Sequence, residues 1–331
     1  MLTVTPQLFV YPIKALRGIP LQTAQLGPQG IQYDRRIMLC RRTETGELKK
    51  IQLSRFPECA LFEQAIVGDK IVIRYQVPEE PLVPSHRLQH EALEVPLDPD
   101  TASLEKVAVN LHNSPVWCYL MGDRYDAWFS ACFGCDVVVV FIGDGKRKIL
   151  GSMAPPASTN AQGWLAAVSS FVSGSKGQDE PWITFTDCAP FLVTTEASLR
   201  NVQQRSPGFS GLPMYKFRPN IVVDGEDEWS EDYWGEIVVG DARHRLVLTA
   251  NCARCSSLNV DYNTGRAATG ELGTVLKTLS RDRRVDKGNK WSPIFGRYGF
   301  LGENTELPLA VGDSVEVTKR LSERCVWDWP L

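Results

Sequence analysis

The chain has 331 residues, of which 43% are hydrophobic and 23% charged, and its net charge at pH 7 is -3. This length suggests about two domains, and the apolar content is enough for a sizeable core and too high for a disordered chain. Without a clustered excess of Lys and Arg, the chain lacks the electrostatic footprint of a nucleic-acid-binding protein, so we expect no nucleic-acid partner.

The pattern of residues 1–145 predicts short β-strands and one helix. Residues 77–102 are rich in Pro and acidic residues and predict a surface loop, and residues 125–132 have helix-like spacing. The segments rich in β-forming residues lie between turns with Gly or Pro and cover residues 8–13, 36–40, 70–75, 116–119 and 137–142.

Residues 146–181 predict a long connecting segment with one helix at 164–172, and the triplet at 146–148, KRK, predicts a solvated basic loop. After residue 182 the β pattern returns, apart from a helix at 195–202 with Thr195 as its N-cap. Strands are predicted at 221–223, 237–239, 246–248 and 314–317, with a hairpin connection at 240–244. The expected fold class is therefore mostly β with some α, as a pair of barrel-like or sandwich-like domains.

Membrane and targeting signals are weak in this sequence. The most apolar run, residues 137–142, is strand-length, whereas a membrane span needs about 20 apolar residues. The first residues lack the basic-then-apolar pattern of a signal peptide. Nine Cys residues are scattered through the chain, which favours a reducing compartment. We therefore expect a soluble, cytoplasmic protein without a transmembrane segment, with mitochondrial association as the alternative.

Two pairs of cysteines have the spacing of metal ligands. Cys132 and Cys135 form one pair, and Cys252 and Cys255 the other. A joint four-thiolate zinc or iron–sulfur site is one interpretation, but more than a hundred residues separate the pairs, and the zinc-ribbon pattern keeps them much closer. The second pair is the stronger candidate, since Arg254 beside Cys255 favours the thiolate form that binds metals.

The sequence around the second pair resembles a known family. NCARC at residues 251–255, followed by VDYNTG at 260–265, is similar to the metal-binding signature of MOSC domains, and within them to the mitochondrial amidoxime-reducing component family. Further matches occur in the same order along the chain. They are YPIK at 11–14, Gly18, DRR at 34–36, FTDCAPFL at 185–192, EASL at 196–199, FRPNIV at 217–222, SPIFG at 292–296 and VGD at 311–313.

The resemblance implies a fold and a cofactor. It implies an N-terminal MOSC β-barrel domain over 1–145, the connecting segment 146–181, and a β-barrel-like MOSC domain over 182–331. The family binds a molybdenum cofactor, a molybdopterin whose metal is held by one cysteine thiolate, and the matching position here is Cys255. Soft thiolate suits that role. The resemblance also implies cofactor-binding positions at Lys14, Arg35, Cys188, Ala189, Arg218, Asn220, Ala253 and Arg254.

Some of these positions depart from the family pattern. Ala15, Cys188, Ala189 and Ala253 stand where close relatives have small hydroxyl residues near the cofactor phosphate, so backbone N–H groups would have to make those contacts. Asp187 matches a family carboxylate near the metal, and we expect it to relay protons or, alternatively, to cap a turn. The four histidines, at 86, 90, 112 and 244, are interpreted as surface or locally bonded groups.

The function implied by the resemblance is reduction of N-hydroxylated compounds such as amidoximes, hydroxylamines or N-oxides. The sequence has neither a Walker loop nor the cysteine run of a plant-type ferredoxin. The electrons would then come from a separate protein, in the eukaryotic family cytochrome b5 with cytochrome b5 reductase. Two alternatives stay open: a cofactor- or sulfur-carrying MOSC protein without reductase activity, and a non-enzymatic scaffold.

Overall fold

The computed structural model of the chain describes residues 3–155, 181–302 and 307–330, with side chains from residue 6. Strands make up 37% of the residues and helices 18%, and the sheets form a near-closed barrel and a curled half-barrel. The expected fold class, mostly β with some α, is therefore confirmed. The helix expected at residues 164–172 lies outside the described residues.

The first part of the chain contains twelve strands and one helix, α1 (Asp123–Phe133). The strands are β1 (Thr3–Val10), β2 (Ile19–Leu21), β3 (Thr23–Gly27), β4 (Gly30–Ile31), β5 (Ile37–Arg42), β6 (Leu48–Lys50), β7 (Phe62–Val67), β8 (Lys70–Tyr75), β9 (Leu93–Pro96), β10 (Lys106–Leu111), β11 (Ser114–Leu120) and β12 (Val137–Phe141). Short 3-10 helices lie at Pro57–Leu61 and Arg87–His90.

The second part contains the helices α2 (Glu196–Gln204) and α3 (Val275–Leu279). Its described strands are β13 (Arg147–Lys148), β14 (Trp182–Ile183), β15 (Phe191–Thr195), β16 (Ile221–Asp224), β17 (Trp234–Val239), β18 (His244–Ala253), β19 (Val260–Asp261), β20 (Arg266–Ala267), β21 (Ile294–Leu301), β22 (Leu307–Ala310) and β23 (Val315–Arg320). Its 3-10 helices are Pro207–Phe209, Met214–Phe217, Ser230–Tyr233, Ser256–Asn259 and Glu271–Thr274.

Two sheets and α1 enclose the first core. The sheets have the strand orders β10-β11-β12-β5-β6 and β7-β8-β9. Helix α1 ends at Gly134, whose left-handed conformation lets its N–H donate to the Ser130 carbonyl at 2.8 Å. Its aromatic residues pack on Phe62, and the rings of Phe62 and Phe133 stack with centroids 4.9 Å apart. Aromatic burial thus fixes α1 against both sheets.

An eight-stranded sheet forms the second core, in the order β2-β1-β16-β15-β21-β18-β17-β23. Strands β15 and β16 pair in parallel, and α2 makes the crossover between them, as a parallel pair requires. The other pairings in the sheet are antiparallel. Every residue of β21 is buried, which places this strand at the centre of the core.

The two parts of the chain are interleaved. Strands β1 and β2 join the eight-stranded sheet, and β22, near the end of the chain, pairs with β3. Val260 and Tyr262 from the second part are buried in the core cluster of the first. The bounds expected for the domains, 1–145 and 182–331, stay a prediction. The interleaving brings the segment after β1 against residues from the second part.

Local structure matches the sequence in most strands and departs from it at two places. The segment 77–102, expected to be a loop, contains β9, which pairs with β8 and buries Leu93 and Val95. The basic triplet at 146–148 is not a solvated loop throughout, because the Arg147 side chain is fully buried and β13 pairs with β14. Among the described residues, no helix is both long and apolar enough to cross a membrane.

Candidate functional site

A cleft lies where the two parts of the chain meet, with about 790 Å³ of free space including its mouth. All the predicted site residues line it except Cys188, which is buried beside it in a cluster with Cys252. The lining residues are Lys14, Ala15, Arg35, Gln52, Leu53, Ser54, Thr186, Asp187, Ala189, Leu192, Phe217, Arg218, Asn220, Cys252, Ala253, Arg254, Cys255, Ser257 and Tyr298.

Three of the lining residues have a left-handed backbone conformation that is unusual for residues other than glycine. The φ angles are 75° at Ala15, 50° at Arg35 and 56° at Arg218. Arg35 is held there by its N–H, which donates to the Tyr11 carbonyl at 2.8 Å, and Arg218 closes the 3-10 helix that precedes it. Each such conformation costs of the order of 1–3 kcal/mol, and functional sites often contain them. The backbone strain therefore lies at the positions of Arg35 and Arg218, two cations that line the cleft.

Arg35 and Arg218 both stack on the ring of Tyr11, with each guanidinium carbon 4.5 Å from the ring centroid. Tyr11 is fully buried, and this burial raises the pKa of its hydroxyl, which donates to the Pro219 carbonyl at 3.1 Å. Arg35 also pairs with buried Asp34 at 2.5 Å. Among the described residues Arg218 has no carboxylate partner and donates instead to the Leu16 carbonyl at 2.8 Å. Arg218 therefore brings an uncompensated positive charge to the cleft.

Asn220 joins the cleft wall to the sheet behind it. Its amide oxygen accepts from the Leu192 N–H at 3.2 Å and from Arg35 Nη1 at 3.3 Å. Its amide nitrogen donates to the Phe9 carbonyl at 3.3 Å. Asn220 therefore fixes Arg35 relative to β1 and β15.

Asp187 is the carboxylate of the cleft, and its side chain is half exposed. Its Oδ1 accepts from Lys14 Nζ at 2.5 Å and lies 3.2 Å from His112 Nε2. Burial alone would raise the pKa of Asp187, but Lys14 and His112 outweigh burial and hold that pKa well below its usual range. Burial lowers the pKa of Lys14 to about 8, although the charge of Asp187 opposes this shift. Asp187 is thus ionised at neutral pH.

Arg147 supports Asp187 from behind. Its guanidinium is fully buried and donates to the Thr186 carbonyl at 2.5 Å and to the Asp187 carbonyl. Burial lowers the pKa of Arg147 to about 10. Because this side chain holds two consecutive carbonyls, it orients the backbone that carries the Asp187 carboxylate.

Cys255 presents its thiol at the open side of the cleft. It follows β18, is exposed, and has its Sγ 3.2 Å from Ser257 Oγ. The neighbouring guanidinium of Arg254 is bonded elsewhere: Nη1 donates to Cys252 Sγ at 2.9 Å and Nη2 to the Phe217 carbonyl at 2.8 Å. The expectation that Arg254 would act on the Cys255 thiol is therefore not matched by a hydrogen bond.

Cys252 is the buried thiol of the pair. Burial raises its pKa, which Arg254 and Tyr298 only partly counteract. Tyr298 is itself buried and lines the cleft. Cys252 therefore has the environment of a structural thiol, and Cys255 is the thiol that a ligand in the cleft could reach.

The part of the wall formed by Ala15, Ala189 and Ala253 lacks side-chain hydroxyls. Cys188, the fourth departure from the family pattern, is buried, and burial holds the pKa of its thiol well above the usual range. The cations that line the cleft are Lys14, Arg35, Arg218 and Arg254, which suits an anionic ligand.

The two cysteine pairs lie in different cores. Cys132 packs in the cluster around Phe62, while Cys252 packs with Cys188 and Tyr298. Over the described ranges, no group of three or more His, Cys, Asp or Glu side chains has the arrangement of a metal site.

Sequence reasoning missed His112, Lys50 and Arg147. His112 and Asn113 form the two-residue turn between β10 and β11, with φ angles of 54° and 60°. A two-residue connection with positive φ at both positions is typical of a tight hairpin. The Asn at the second position is the sequence signal that indicates such a turn. Nothing local indicates that this turn reaches Asp187.

Two family models match this chain. The model of the MOSC N-terminal beta barrel domain matches residues 1–136, and the model of the MOSC domain matches residues 180–316. Mitochondrial amidoxime-reducing component 1 of Homo sapiens is 25% identical over 317 residues, covering 93% of this chain and 81% of the relative. Mitochondrial amidoxime reducing component 2 of Macaca fascicularis is 24% identical, covering 93% and 82%.

A third relative matches more closely over a shorter stretch. Mitochondrial amidoxime-reducing component 1 of Mus musculus is 36% identical over 137 residues, covering 40% of this chain and 38% of the relative. Together the two domain models account for most of the chain, in the same order as the resemblance implied. The chain therefore belongs to the family of proteins that combine a MOSC N-terminal beta barrel domain with a MOSC domain.

Proposed function

We propose that this protein is a molybdenum-cofactor-dependent oxidoreductase that reduces N-hydroxylated compounds such as amidoximes, hydroxylamines or N-oxides. One observation carries the proposal. The exposed Cys255 thiol lines the same cleft as the cations Lys14, Arg35, Arg218 and Arg254. Relatives whose names state amidoxime reduction support the reaction class.

The residues of the cleft fit a molybdopterin. Such a group carries a phosphate, and Arg218 and Arg254 have no carboxylate partner among the described residues. The buried Nε of Arg254 also has no hydrogen-bond acceptor in the described part of the chain. A buried, unpaired donor is costly, so an acceptor on a ligand would stabilise it. Cys255 would supply a thiolate, and this soft ligand suits molybdenum.

In the proposed complex, Cys255 holds the metal, and Lys14, Arg35, Arg218 and Arg254 hold the phosphate and pterin. Asn220 orients Arg35, and backbone N–H groups at Cys188, Ala189 and Ala253 would bind the phosphate. When bound, the molybdenum centre supplies two-electron transfer to the N–O bond of the substrate. The chain itself supplies the cation-lined walls, which bind the cofactor, and a carboxylate that can move protons.

Reduction of the N–O bond releases water and consumes two protons and two electrons. Asp187 is the acidic side chain that faces the cleft, and Lys14 and Arg147 fix its position. We assign to Asp187 the transfer of these protons to the substrate; because it is ionised at neutral pH, it takes up each proton only transiently as it passes the proton on. The electrons are proposed to come from a separate donor, cytochrome b5 with cytochrome b5 reductase.

Metal analysis is the first test of this proposal. The protein is purified from a host that makes molybdenum cofactor, beside a Cys255→Ala variant, and both are assayed for molybdenum and pterin. We expect near-stoichiometric molybdenum in the native chain and loss of the metal in the variant. Turnover is then measured with benzamidoxime, NADH, cytochrome b5 and its reductase. A fully metallated protein that reduces no N-hydroxylated substrate would contradict the proposed reaction.

The exposed thiol of Cys255 favours one second candidate. A thiol open to solvent can carry a persulfide, so the chain could be a cofactor- or sulfur-carrying protein without reductase activity. Mass spectrometry of the purified protein distinguishes the two: a Cys255 persulfide without retained molybdenum supports the carrier.

The cellular location is also a proposal. We propose a cytoplasmic location, with mitochondrial association as the alternative, and cell fractionation distinguishes the two.

A further inference from the structure

We propose that Lys50, His112 and Asp187 form a proton-delivery chain that leads from the protein surface into the cleft, with His112 as the residue that passes the proton on. This inference rests on the proposed function, because it concerns the protons that the reduction consumes. Nothing in the family comparison or in the sequence pattern assigns a role to Lys50 or His112.

The contacts form an ordered series. Lys50 Nζ lies 3.3 Å from His112 Nδ1, and His112 Nε2 lies 3.2 Å from Asp187 Oδ1. An ammonium group can only donate and a carboxylate can only accept. His112 therefore satisfies both neighbours as the neutral tautomer that carries its proton on Nε2. In this tautomer each hydrogen bond points from Lys50 towards the cleft.

The charges around His112 favour this neutral form. Burial lowers the pKa of His112, and Lys14 and Lys50 lower it further, while Asp187 raises it. Arg147 adds a buried positive charge on the far side of Asp187. A neutral imidazole near physiological pH can both accept and donate a proton, which a permanently charged one cannot.

Proton transfer along the chain is balanced at each step. The Nε2–H bond of His112 breaks as an O–H bond forms on Asp187, and an N–H bond of Lys50 breaks as an N–H bond forms on His112 Nδ1. Lys50 and His112 are both partly exposed and exchange protons with water, which restores the Lys50 ammonium and the Nε2–H tautomer of His112 before the next transfer. Asp187 then gives its proton to the N–O group, and after two rounds the N–O bond of an N-hydroxylated substrate is replaced by an N–H bond and water. The two electrons come from the separate donor protein.

The tip of the hairpin is anchored, so the geometry does not depend on a free loop. Trp329 Nε1 donates to the His112 carbonyl at 2.8 Å, and Asn113 donates to the Pro330 carbonyl at 3.2 Å. Trp329 is buried in the cluster that also holds Cys188 and Tyr298. The end of the chain thus holds His112 against Asp187, and Trp329 acts as a positioning residue.

The first test does not depend on activity. The chain contains four histidines, so long-range ¹H–¹⁵N spectra of the ¹⁵N-labelled protein resolve each imidazole, with His112→Gln to assign its signals. We expect the Nε2–H tautomer at His112, and a further decrease of its pKa in Asp187→Asn, because the carboxylate raises that pKa. A His112 in which the Nδ1–H tautomer predominates, or whose pKa does not respond to Asp187→Asn, would overturn the chain.

The second test uses the cofactor-loaded enzyme. We expect His112→Gln to lower kcat by at least about tenfold with unchanged molybdenum content and KM, and added imidazole to restore part of the rate. Lys50→Gln should lower kcat less, since water can reach His112, whereas the matched control Lys49→Gln should leave it unchanged. Trp329→Phe should lower kcat and shift its pH profile.

The outcomes separate this inference from the proposed function. If the native enzyme is loaded and active but His112→Gln retains full kcat, the proton chain is wrong and the reductase assignment stands. If the native enzyme is loaded and inactive, the reductase assignment fails, and the spectra alone decide whether Lys50, His112 and Asp187 form the hydrogen-bonded series.

Discussion

Lys14 and Asp187 form an ion pair of 2.5 Å across the cleft, although 173 residues separate them in the sequence. Lys14 comes from the segment after β1, and Asp187 from the segment before β15. The pair exists because β1 is part of the eight-stranded sheet and carries the following residues to the second part of the chain. The ion pair places a buried cation next to a half-exposed carboxylate in the cleft. Because burial lowers the pKa of this cation, we expect anion binding in the cleft to depend on pH.

The pKa of Lys14 predicts how anion affinity changes with pH. Because burial lowers that pKa to about 8, Lys14 is charged below pH 8 and becomes neutral above it. We expect sulfate, whose charge is constant in this range, to bind the cofactor-free protein several-fold more weakly at pH 9.5 than at pH 7. Isothermal titration calorimetry measures this difference.

Lys14→Arg is the matched control, because its guanidinium stays charged throughout the range. Its sulfate affinity should change little between pH 7 and 9.5. An equal loss of affinity in the native protein and in Lys14→Arg would show that another group controls binding.

Elements with a clear local pattern could be predicted from the sequence. Residues 70–75 are rich in β-branched and aromatic residues, and β8 spans the same residues. Thr195 was expected to cap a helix, and its Oγ1 accepts from the Ser198 N–H at 3.2 Å. Such features depend on neighbours a few residues apart, so the sequence contains all the information that determines them.

Long-range contacts could not be predicted in this way. Arg147 belongs to a basic triplet that looks solvated, yet its guanidinium is buried because carbonyls about forty residues later accept from it. His112 reaches Asp187 across 75 residues, and β22 pairs with β3 near the start of the chain. The list of cofactor-binding residues came instead from the family resemblance, whose motifs already encode these distant contacts.

Cys252 and Cys255 should differ in their effect on stability. Cys255 is exposed, so Cys255→Ala should leave the free energy of unfolding within about 0.5 kcal/mol of the native value. Cys252 is buried and accepts from Arg254, so Cys252→Ala leaves a buried guanidinium donor without its acceptor and should cost about 1–3 kcal/mol. Urea unfolding of both variants measures these values, and equal stability of the two would contradict the assigned roles.

Arg35 and Arg218 should separate stability from cofactor retention. Arg35→Gln leaves the carboxylate of Asp34 buried without its cation, which is expected to cost about 3–5 kcal/mol. Arg218 has no carboxylate partner among the described residues, so Arg218→Gln should cost only about 1–2 kcal/mol, for the lost stacking on Tyr11 and the lost bond to Leu16, while it loses bound pterin. Thermal unfolding and pterin fluorescence after gel filtration measure the two effects. Arg200→Gln, on an exposed pair with Asp224, is the control and should change neither.

Gly265 should be sensitive to substitution because two parts of the chain meet there. Its φ is 63°, and a Cβ at this position would lie 2.6 Å from Leu61 Cδ1 and 3.2 Å from Glu58 Cα. Gly270 has a similar φ of 59° but open space around it. Both Ala variants carry the backbone strain, so the difference between them isolates the clash with Leu61. We expect Gly265→Ala to be less stable than Gly270→Ala by about 1–3 kcal/mol in urea unfolding, and equal values would refute the contact.

Glu231 should make the protein less stable as pH rises from acid to neutral. The side chain is fully buried, Ser198 donates to its Oε2 at 2.9 Å, and its Oε1 has no partner among the described residues. Burial raises its pKa to about 7, so between pH 4.5 and 7 the folded protein binds a proton that the unfolded chain has released. The stability that this proton contributes is present below pH 4.5 and is lost as pH rises through 7, a loss of the order of 3 kcal/mol.

Glu231→Gln removes this titration and keeps an acceptor for Ser198. Urea unfolding at pH 5 and pH 8 should therefore show a smaller decrease in stability for Glu231→Gln than for the native protein. Exposed Glu228, changed to Gln, is the matched control and should keep the native pH dependence. If Glu231→Gln and Glu228→Gln lose the same stability between the two pH values, Glu231 does not titrate in this range and the prediction is wrong.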